Sequence, residues 1–279
     1  MISNTNKIYF GNQEISQVYV GDNLVFGGET AWTPYSLGSS LALWLDATDT
    51  DTITLNGSNV SQWGDKSNNN RHAAQSTATK QPVYAPNVIN GKACVVGDDT
   101  DDVLFGPLPL SRTLDYTVVM VLSLLQAADA LFDFYDAATP NTSRVTSSSS
   151  GVARAVGSLA YHLTQELSNI VGATPLILAA THQNSAPAGQ RFDQFVNGVR
   201  RGVFPTDVNA PAFADGIFTE YAILDDVTGG NAWGGGIGEY IIATGLSESD
   251  RQKLEGYLAH KWGLTANLPS DHPYKTVAP

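Results

Sequence analysis

The sequence predicts an all-β protein, a sandwich or barrel of short strands with one helix near the C-terminus. Three observations support this fold class. Runs rich in β-branched and aromatic residues recur along the chain, clusters of Gly, Asn, Asp and Pro separate them, and helical periodicity is convincing in one place. The 26 glycines among 279 residues suit a fold with many turns.

The N-terminal segment contains an internal repeat with a period of ten residues. Residues 8–15 align with residues 18–25, and each copy has an apolar run, then Gly-Asn or Gly-Asp, then a further apolar residue. This pattern is typical of short strands joined by tight turns. We predict a small β-meander within residues 1–28 and a linker at 29–40. Strands this short are marginal alone, so the meander should pack on another domain or chain.

The main domain is predicted to span residues 41–279. Its clearest strands are the apolar runs 41–45, 117–122, 176–180, 191–198 and 238–243.

One helix follows these strands. Ser247 is a predicted N-cap, with Asp250 three residues later. Leu254, Tyr257, Leu258 and Trp262 then recur at helical spacing, and Gly263 stands where a left-handed C-cap belongs. We predict that this helix docks on the sandwich.

Composition excludes several classes of function. The chain has 15 Lys+Arg against 27 Asp+Glu, a formal charge of −12, and no basic run, which argues against nucleic acid as a partner. The single cysteine, Cys94, excludes an intrachain disulfide and a cysteine-based zinc site. No apolar run is long enough to cross a bilayer, and residues 1–7 lack the pattern of a secretory signal. We expect synthesis in a cytoplasm without a signal peptide, and no membrane insertion.

Several short motifs occur as landmarks along residues 41–275. They are LWLDA at 43–47, VSQWGDKS at 60–67, RHA at 71–73, NGK at 90–92, GDDTDDVL at 97–104, FVNG at 195–198, IGEYII at 237–242, HKWGL at 260–264 and LPSDHPY at 268–274. Together they resemble the concanavalin A-like, laminin G-like jelly-roll domains of bacterial and phage surface proteins. The resemblance implies a jelly-roll β-sandwich, a fold that hosts lectins, hydrolases and structural modules alike.

The N-terminal repeat resembles the short IYxG and VYxG hairpin modules that open many phage tail-fibre proteins. The resemblance implies a virion protein whose N-terminus attaches to other virion proteins, with Tyr9, Phe10, Tyr19 and Val20 as candidate attachment residues. It also implies a homo-oligomer, commonly a trimer.

The expected glycan site is an exposed aromatic ring beside amide and carboxylate groups. Two polar loops near tryptophans supply candidates, although burial of Trp63 and Trp233 is at least as well supported as exposure. The candidate residues are Asn68, Asn69, Asn70, Arg71, Asp225, Asp226, Asn231 and Trp233.

No cofactor is required by the sequence, and calcium is the metal to consider, because loop carboxylates are its usual ligands. The principal candidates are Asp98, Asp99, Asp101 and Asp102, and the alternative for these residues is turn chemistry.

Catalysis is not expected. The sandwich hydrolases carry paired carboxylates on one strand, with a spacing such as Glu-x-Asp-x-x-Glu that this chain lacks, and Glu239 stands alone on its strand. No Gly-x-Ser-x-Gly or His-Glu-x-x-His motif occurs.

The sequence therefore favours a virion protein, a tail fibre, spike or related appendage, that displays a lectin-like sandwich to a host-surface glycan. The alternatives are a capsid or tail decoration protein with a purely structural role and, less favoured, a glycoside hydrolase.

Overall fold

The computed structural model describes residues 8–10, 13–15, 18–20, 23–26, 31–124, 130–136, 139–147, 152–156, 162–166, 175–187, 191–203, 215–226 and 229–279. The strands are β1 (Ile8–Phe10), β2 (Gln13–Ile15), β3 (Val18–Val20), β4 (Asn23–Phe26), β5 (Leu41–Asp46), β6 (Ile53–Asn56), β7 (Asn59–Trp63), β8 (Ala73–Ala74), β9 (Val83–Ile89), β10 (Lys92–Val96), β11 (Leu104–Ser111), β12 (Tyr116–Leu124), β13 (Phe132–Asp136), β14 (Thr139–Ser147), β15 (Val152–Val156), β16 (His162–Glu166), β17 (Leu176–His182), β18 (Phe192–Val196), β19 (Val199–Val203), β20 (Ile217–Ile223) and β21 (Gly235–Thr244). The helices are α1 (Glu248–Trp262) and the 3-10 turns Pro34–Ser40, Thr50–Thr52, Ala78–Lys80 and Thr265–Asn267.

The central sheet is antiparallel and has the order β19-β18-β17-β12-β21-β5. Strand β21 is the longest, at 10 residues. One end of its free edge pairs with β5, and the other end pairs with β10 at Val95 and Val96.

The outer sheet has the order β16-β15-β14-β13-β20-β11-β8-β7-β6 and is also antiparallel. Strand β10 pairs with β9, and β9 meets β7 at the pair Asn59 and Val83. The strands β9 and β10 therefore join the two sheets along one edge.

The main core lies between the two sheets. Val118, Met120 and Leu122 of β12 point into it, and Phe132 and Phe134 of β13 face them from the outer sheet. This period of two on both sheets makes the molecule a β-sandwich and confirms the predicted fold class.

A second core lies on the opposite face of the central sheet. Val119 and Val121 of β12 pack there with Leu254, Leu258 and Trp262 of α1. Because both faces of β12 and β21 are covered, these strands appear in the sequence as continuous apolar runs, and all five predicted strands are present.

The helix begins and ends where the sequence predicts. Ser247 Oγ accepts a hydrogen bond from the Asp250 amide at 3.1 Å. Gly263 adopts the left-handed conformation, with φ 69° and ψ 34°, and Leu264 N–H donates to the Ala259 carbonyl at 2.7 Å.

The predicted N-terminal meander consists instead of two hairpins. β1 pairs with β2 and β3 pairs with β4, and no ladder joins β2 to β3 in the described residues. Each copy of the repeat therefore closes on itself. The side chains of Tyr9, Phe10, Tyr19 and Val20 lie outside the described part of the chain, so their attachment role stays a prediction.

The predicted linker at 29–40 is shorter than expected. Trp32 and Leu37 pack against the second core, and the Tyr35 ring meets Trp44 edge-on at 4.9 Å. These apolar contacts make residues 32–40 part of the sandwich domain.

The one α-helix of the described residues is too short and too polar to cross a bilayer.

Candidate functional site

A polar cavity of about 390 Å³ lies on the helix side of the central sheet, beside the first turn of α1. Its size falls in the range of small-molecule pockets, roughly 300–1,000 Å³. Separate strands, loops and the helix contribute its walls. The lining residues that matter below are Asp115, Thr117, Thr181, His182, Gln183, Asp193, Phe195, Arg200, Ser247, Glu248 and Arg251.

The strand register builds the floor of the cavity. Thr117 of β12 pairs with Thr181 of β17, and Thr181 pairs with Asp193 of β18. Directly paired residues of antiparallel neighbours project from the same face of a sheet, so two hydroxyls and a carboxylate form one polar row.

The first turn of α1 supplies one wall. The Arg251 guanidinium stacks on the Phe195 ring at 3.6 Å, and its Nη1 donates to Glu255 Oε1 at 2.5 Å. Arg251 is only 5% exposed. Stacking and the ion pair therefore fix this cation in place.

A second cation, Arg200, closes the outer side of the floor. Its Nη2 donates to both oxygens of Asp193, at 2.7 and 2.8 Å, and its Nε donates to Oδ1 at 2.9 Å. This pairing leaves the Arg200 charge balanced by Asp193.

His182 follows Thr181 on β17, so its side chain projects to the opposite face of the sheet, where its ring lies 4.9 Å from the main-core residue Tyr116 and is 1% exposed. Burial lowers its pKa to about 4, and the positive charge of Arg191 acts in the same direction. The imidazole is therefore neutral at physiological pH.

Asp115 stands at the opposite wall. Its Oδ1 accepts the Asn184 amide at 2.8 Å, and its carbonyl accepts the Gly245 amide at 3.0 Å. Within the described residues, Oδ2 accepts no hydrogen bond and is available to a ligand.

The predicted glycan loop at Asn68–Arg71 is a separate structure at the edge of β5. Asp65 organises it by accepting the amides of Trp44, Ser67 and Arg71. Asn69 and Arg71 donate from their side chains to the Ala42 carbonyl. Asn68, Asn69 and Asn70 are exposed, and their role in glycan binding stays a prediction.

The predicted glycan residues at 225–233 do not form an accessible site. Trp233 is fully buried in the main core, and Asp225 and Asp226 are fully buried as well. Asp225 Oδ1 accepts the amides of Asp226 and Asn231, and the Asn231 side chain donates to Asp226. These residues build a turn, and a sugar cannot stack on Trp233 or reach either carboxylate, so this part of the prediction is wrong.

The predicted calcium residues are partly assembled. Ligand oxygens of Asp98, Asp101 and Asp102 lie within 4.8 Å of one another, an arrangement that can hold a cation, and Asp99 is outside this group. Burial raises the pKa of Asp102 to about 6, and the charges of Asp98 and Asp101 add to the effect. Asp98 Oδ1 also accepts the amides of Thr100 and Asp101, which is the alternative turn chemistry.

Glu239 is not the lone carboxylate that its strand pattern indicated. It lies opposite Asp46 of β5, and the Lys261 ammonium bridges the two, at 2.7 Å from Glu239 and 2.8 Å from Asp46. Trp44 and Trp262 donate their indole N–H groups to Glu239 at 2.7 and 2.8 Å. Burial raises the pKa of Glu239, and Lys261 opposes that rise. We regard this network as the polar attachment of α1 to the sheet.

Sequence reasoning missed the cavity because its members come from segments far apart in the chain. Asp193 and Phe195 alternate within a predicted strand, a weak signal that both face one side. Nothing in the sequence indicates that Asp115 and Arg251 join them.

No protein-family model matches the chain, and no curated protein matches it. Similar folds occur among solved structures. The chain is similar to Trypanosoma rangeli sialidase in complex with 2,3-difluorosialic acid, at a TM-score of 0.52 and 13% identity over 84% of this chain and 34% of the sialidase.

Two toxin structures are similar in the same way. Botulinum neurotoxin type C, which requires interaction with two ganglioside molecules to get into cells, matches at a TM-score of 0.57 and 9% identity, over 81% of this chain and 53% of the toxin. The binding domain of Paraclostridial Mosquitocidal Protein 1 matches at 0.52 and 12% identity, over 79% of this chain and 52% of that one.

The likeness concerns the fold, and the chain spans between about a third and about a half of these structures' own length. It nevertheless contradicts the expectation of a protein without enzymatic activity, because the sialidases are enzymes built on a matching sandwich. The chain has the β-sandwich fold that these sialidases and toxin binding domains contain.

Proposed function

We propose that this chain is a glycan-binding protein and that the cavity beside α1 holds the sugar. The observation that carries the proposal is the convergence of carboxylates, hydroxyls and a buried arginine around one cavity of about 390 Å³. Such groups match the hydroxyl-rich surface of a saccharide, which both donates and accepts hydrogen bonds. The toxin structures that share the fold, one of which interacts with gangliosides, support this use of the sandwich.

The biological setting in this proposal is a phage virion appendage, a tail fibre or spike that contacts a host-surface glycan. It rests on the resemblance of the N-terminal repeat to phage hairpin modules. The two hairpins attach the chain to other virion proteins, and the sandwich faces outward. A homo-oligomer, such as a trimer, is part of the same proposal.

A glycan array probed with the full-length chain tests the binding function, with and without calcium. Asp115→Asn keeps an oxygen for the Asn184 amide but removes the charge that a sugar hydroxyl would meet. We expect this variant to bind array hits about tenfold more weakly, the value of one charge-assisted hydrogen bond.

Asp51→Asn is the matched control, because Asp51 is exposed in a different part of the fold. It should bind like the unmodified chain. An array with no positive glycan would contradict glycan binding and favour the decoration protein, whose role is purely structural.

Glycan hydrolysis in the same cavity is the second candidate function. Asp115, Asp193 and Glu248 line it, and glycoside hydrolysis uses two carboxyl groups, one as acid and one as nucleophile or base. Release of reducing ends from array hits, lost in both Asp115→Asn and Glu248→Gln, would establish hydrolysis. Binding without release would establish a binding site.

A further inference from the structure

The charged side chains around the cavity differ in how far protein partners already engage them. Of the two cations that line it, Arg200 is held by both oxygens of Asp193, and Arg251 is held by Glu255 and stacked on Phe195. A second guanidinium nitrogen of Arg251 lies 3.8 Å from Glu248. Neither arginine therefore offers an unbalanced positive charge to a ligand.

Two carboxylates of the lining have fewer protein partners than the arginines. Asp115 has one oxygen without a hydrogen-bond donor in the described residues. Glu248 has a side chain that is 79% exposed and meets Arg251 only at 3.8 Å. Both carboxylates can accept hydrogen bonds from a ligand.

The remaining polar groups are neutral. Thr117 and Thr181 contribute hydroxyls. Among the residues that the structure describes, the lining thus combines spare acceptors with no spare cation, inside a chain of formal charge −12. Such a site attracts hydroxyl and ammonium donors and repels carboxylate and sulfate groups.

We infer that the cavity takes a sugar residue without an acidic group, either neutral or amine-bearing, and discriminates against uronic and other acidic sugars. This inference rests on the proposed glycan binding and adds the chemical class of the sugar.

The test compares sugars that differ at one group. The methyl glycosides of glucose, glucosamine, glucuronate, galactose and galacturonate are titrated against the full-length chain by ligand-observed NMR. We expect each uronate to bind at least about fivefold more weakly than its parent hexose, the effect of one repulsive charge pair about 4 Å apart in water. The gap should shrink as salt is added, because salt screens the repulsion.

Two variants test whether the carboxylate of Asp115 causes the difference in affinity between a hexose and its uronate. Asp115→Asn should narrow the difference between glucose and glucuronate, and Asp51→Asn should leave it unchanged. A uronate that binds as well as its parent hexose would overturn the inference while glycan binding stands. If the array is positive but none of the five glycosides binds, the inference is also overturned. A negative array instead removes the proposed function itself.

Discussion

Burial is the largest cause of the pKa shifts of His182 and Glu239. His182 is buried against Tyr116 with its pKa lowered to about 4, and Glu239 is buried with its pKa raised. Both side chains are almost fully inaccessible, so each affects stability as well as the chemistry near it.

The first prediction concerns the pH dependence that His182 imposes. Its folded pKa, about 4, is below the ordinary value of 6.5, so the unfolded chain binds more protons between these two values. Stability should fall as pH decreases from about 6.5 to about 4, by on the order of 3 kcal/mol. Denaturant titrations of the unmodified chain and of His182→Gln measure it. The variant should lose less stability over this window, and equal losses would contradict the assignment.

The second prediction concerns Glu239. Replacing it with Gln places an amide where Trp44, Trp262 and Lys261 all donate, so at least one donor loses its acceptor. We expect a loss of about 3 kcal/mol in the free energy of unfolding. Glu220→Gln, on the exposed surface of β20, should change it by less than about 0.5 kcal/mol. A Glu239→Gln variant as stable as this control would show that the network contributes nothing to stability.

Elements differ in how clearly the sequence predicts them. The apolar runs of β12 and β21 are visible because both faces of each strand are covered. The helix is visible because its caps and its apolar stripe agree. The sequence does not predict the cavity, because the cavity depends on the register between β12, β17 and β18 and on where α1 begins.

Trp233 shows how the prediction of a binding loop failed. The polar loop before it made it a candidate for stacking on a sugar, although burial was at least as well supported as exposure. In the structure its ring lies 2.3 Å from the place where a side chain on Gly235 would begin, so the glycine makes room for a buried indole. The neighbouring glycines were the signal for burial, but glycines are equally common in exposed turns.

The third prediction tests the N-cap of α1. Ser247→Ala removes the acceptor of the Asp250 amide and should cost about 1 kcal/mol of stability. Ser249→Ala, on the exposed face of the first turn, is the control and should be neutral or slightly stabilising. Thermal unfolding of both variants measures the difference, and an equal effect would rule out a capping role for Ser247.

The whole molecule has three layers, and the central sheet has a hydrophobic core on each of its two faces. The outer sheet covers one of its faces, and α1 with the 3-10 turn at Pro34–Ser40 covers the other. The cavity lies on the helix side of this central sheet, beside the first turn of α1.

The fourth prediction follows from this layering. Amide hydrogens of Val118–Val121 and Tyr240–Ile242 should exchange most slowly, because their strands are central and buried on both faces. Amides of β6, an exposed strand at the edge of the outer sheet, should exchange much faster. Hydrogen exchange read by NMR checks this, and equal protection of the two regions would contradict the layer order.

The central claim is that the sugar binds in the cavity beside α1. The most direct measurement is an amide NMR titration of the full-length, isotope-labelled chain with a glycan that binds on the array. We predict that the largest changes in amide chemical shift occur at Asp115, Thr117, Thr181, Asp193 and Arg251. Shifts confined to the Asn68–Arg71 loop, with the cavity residues unchanged, would contradict it.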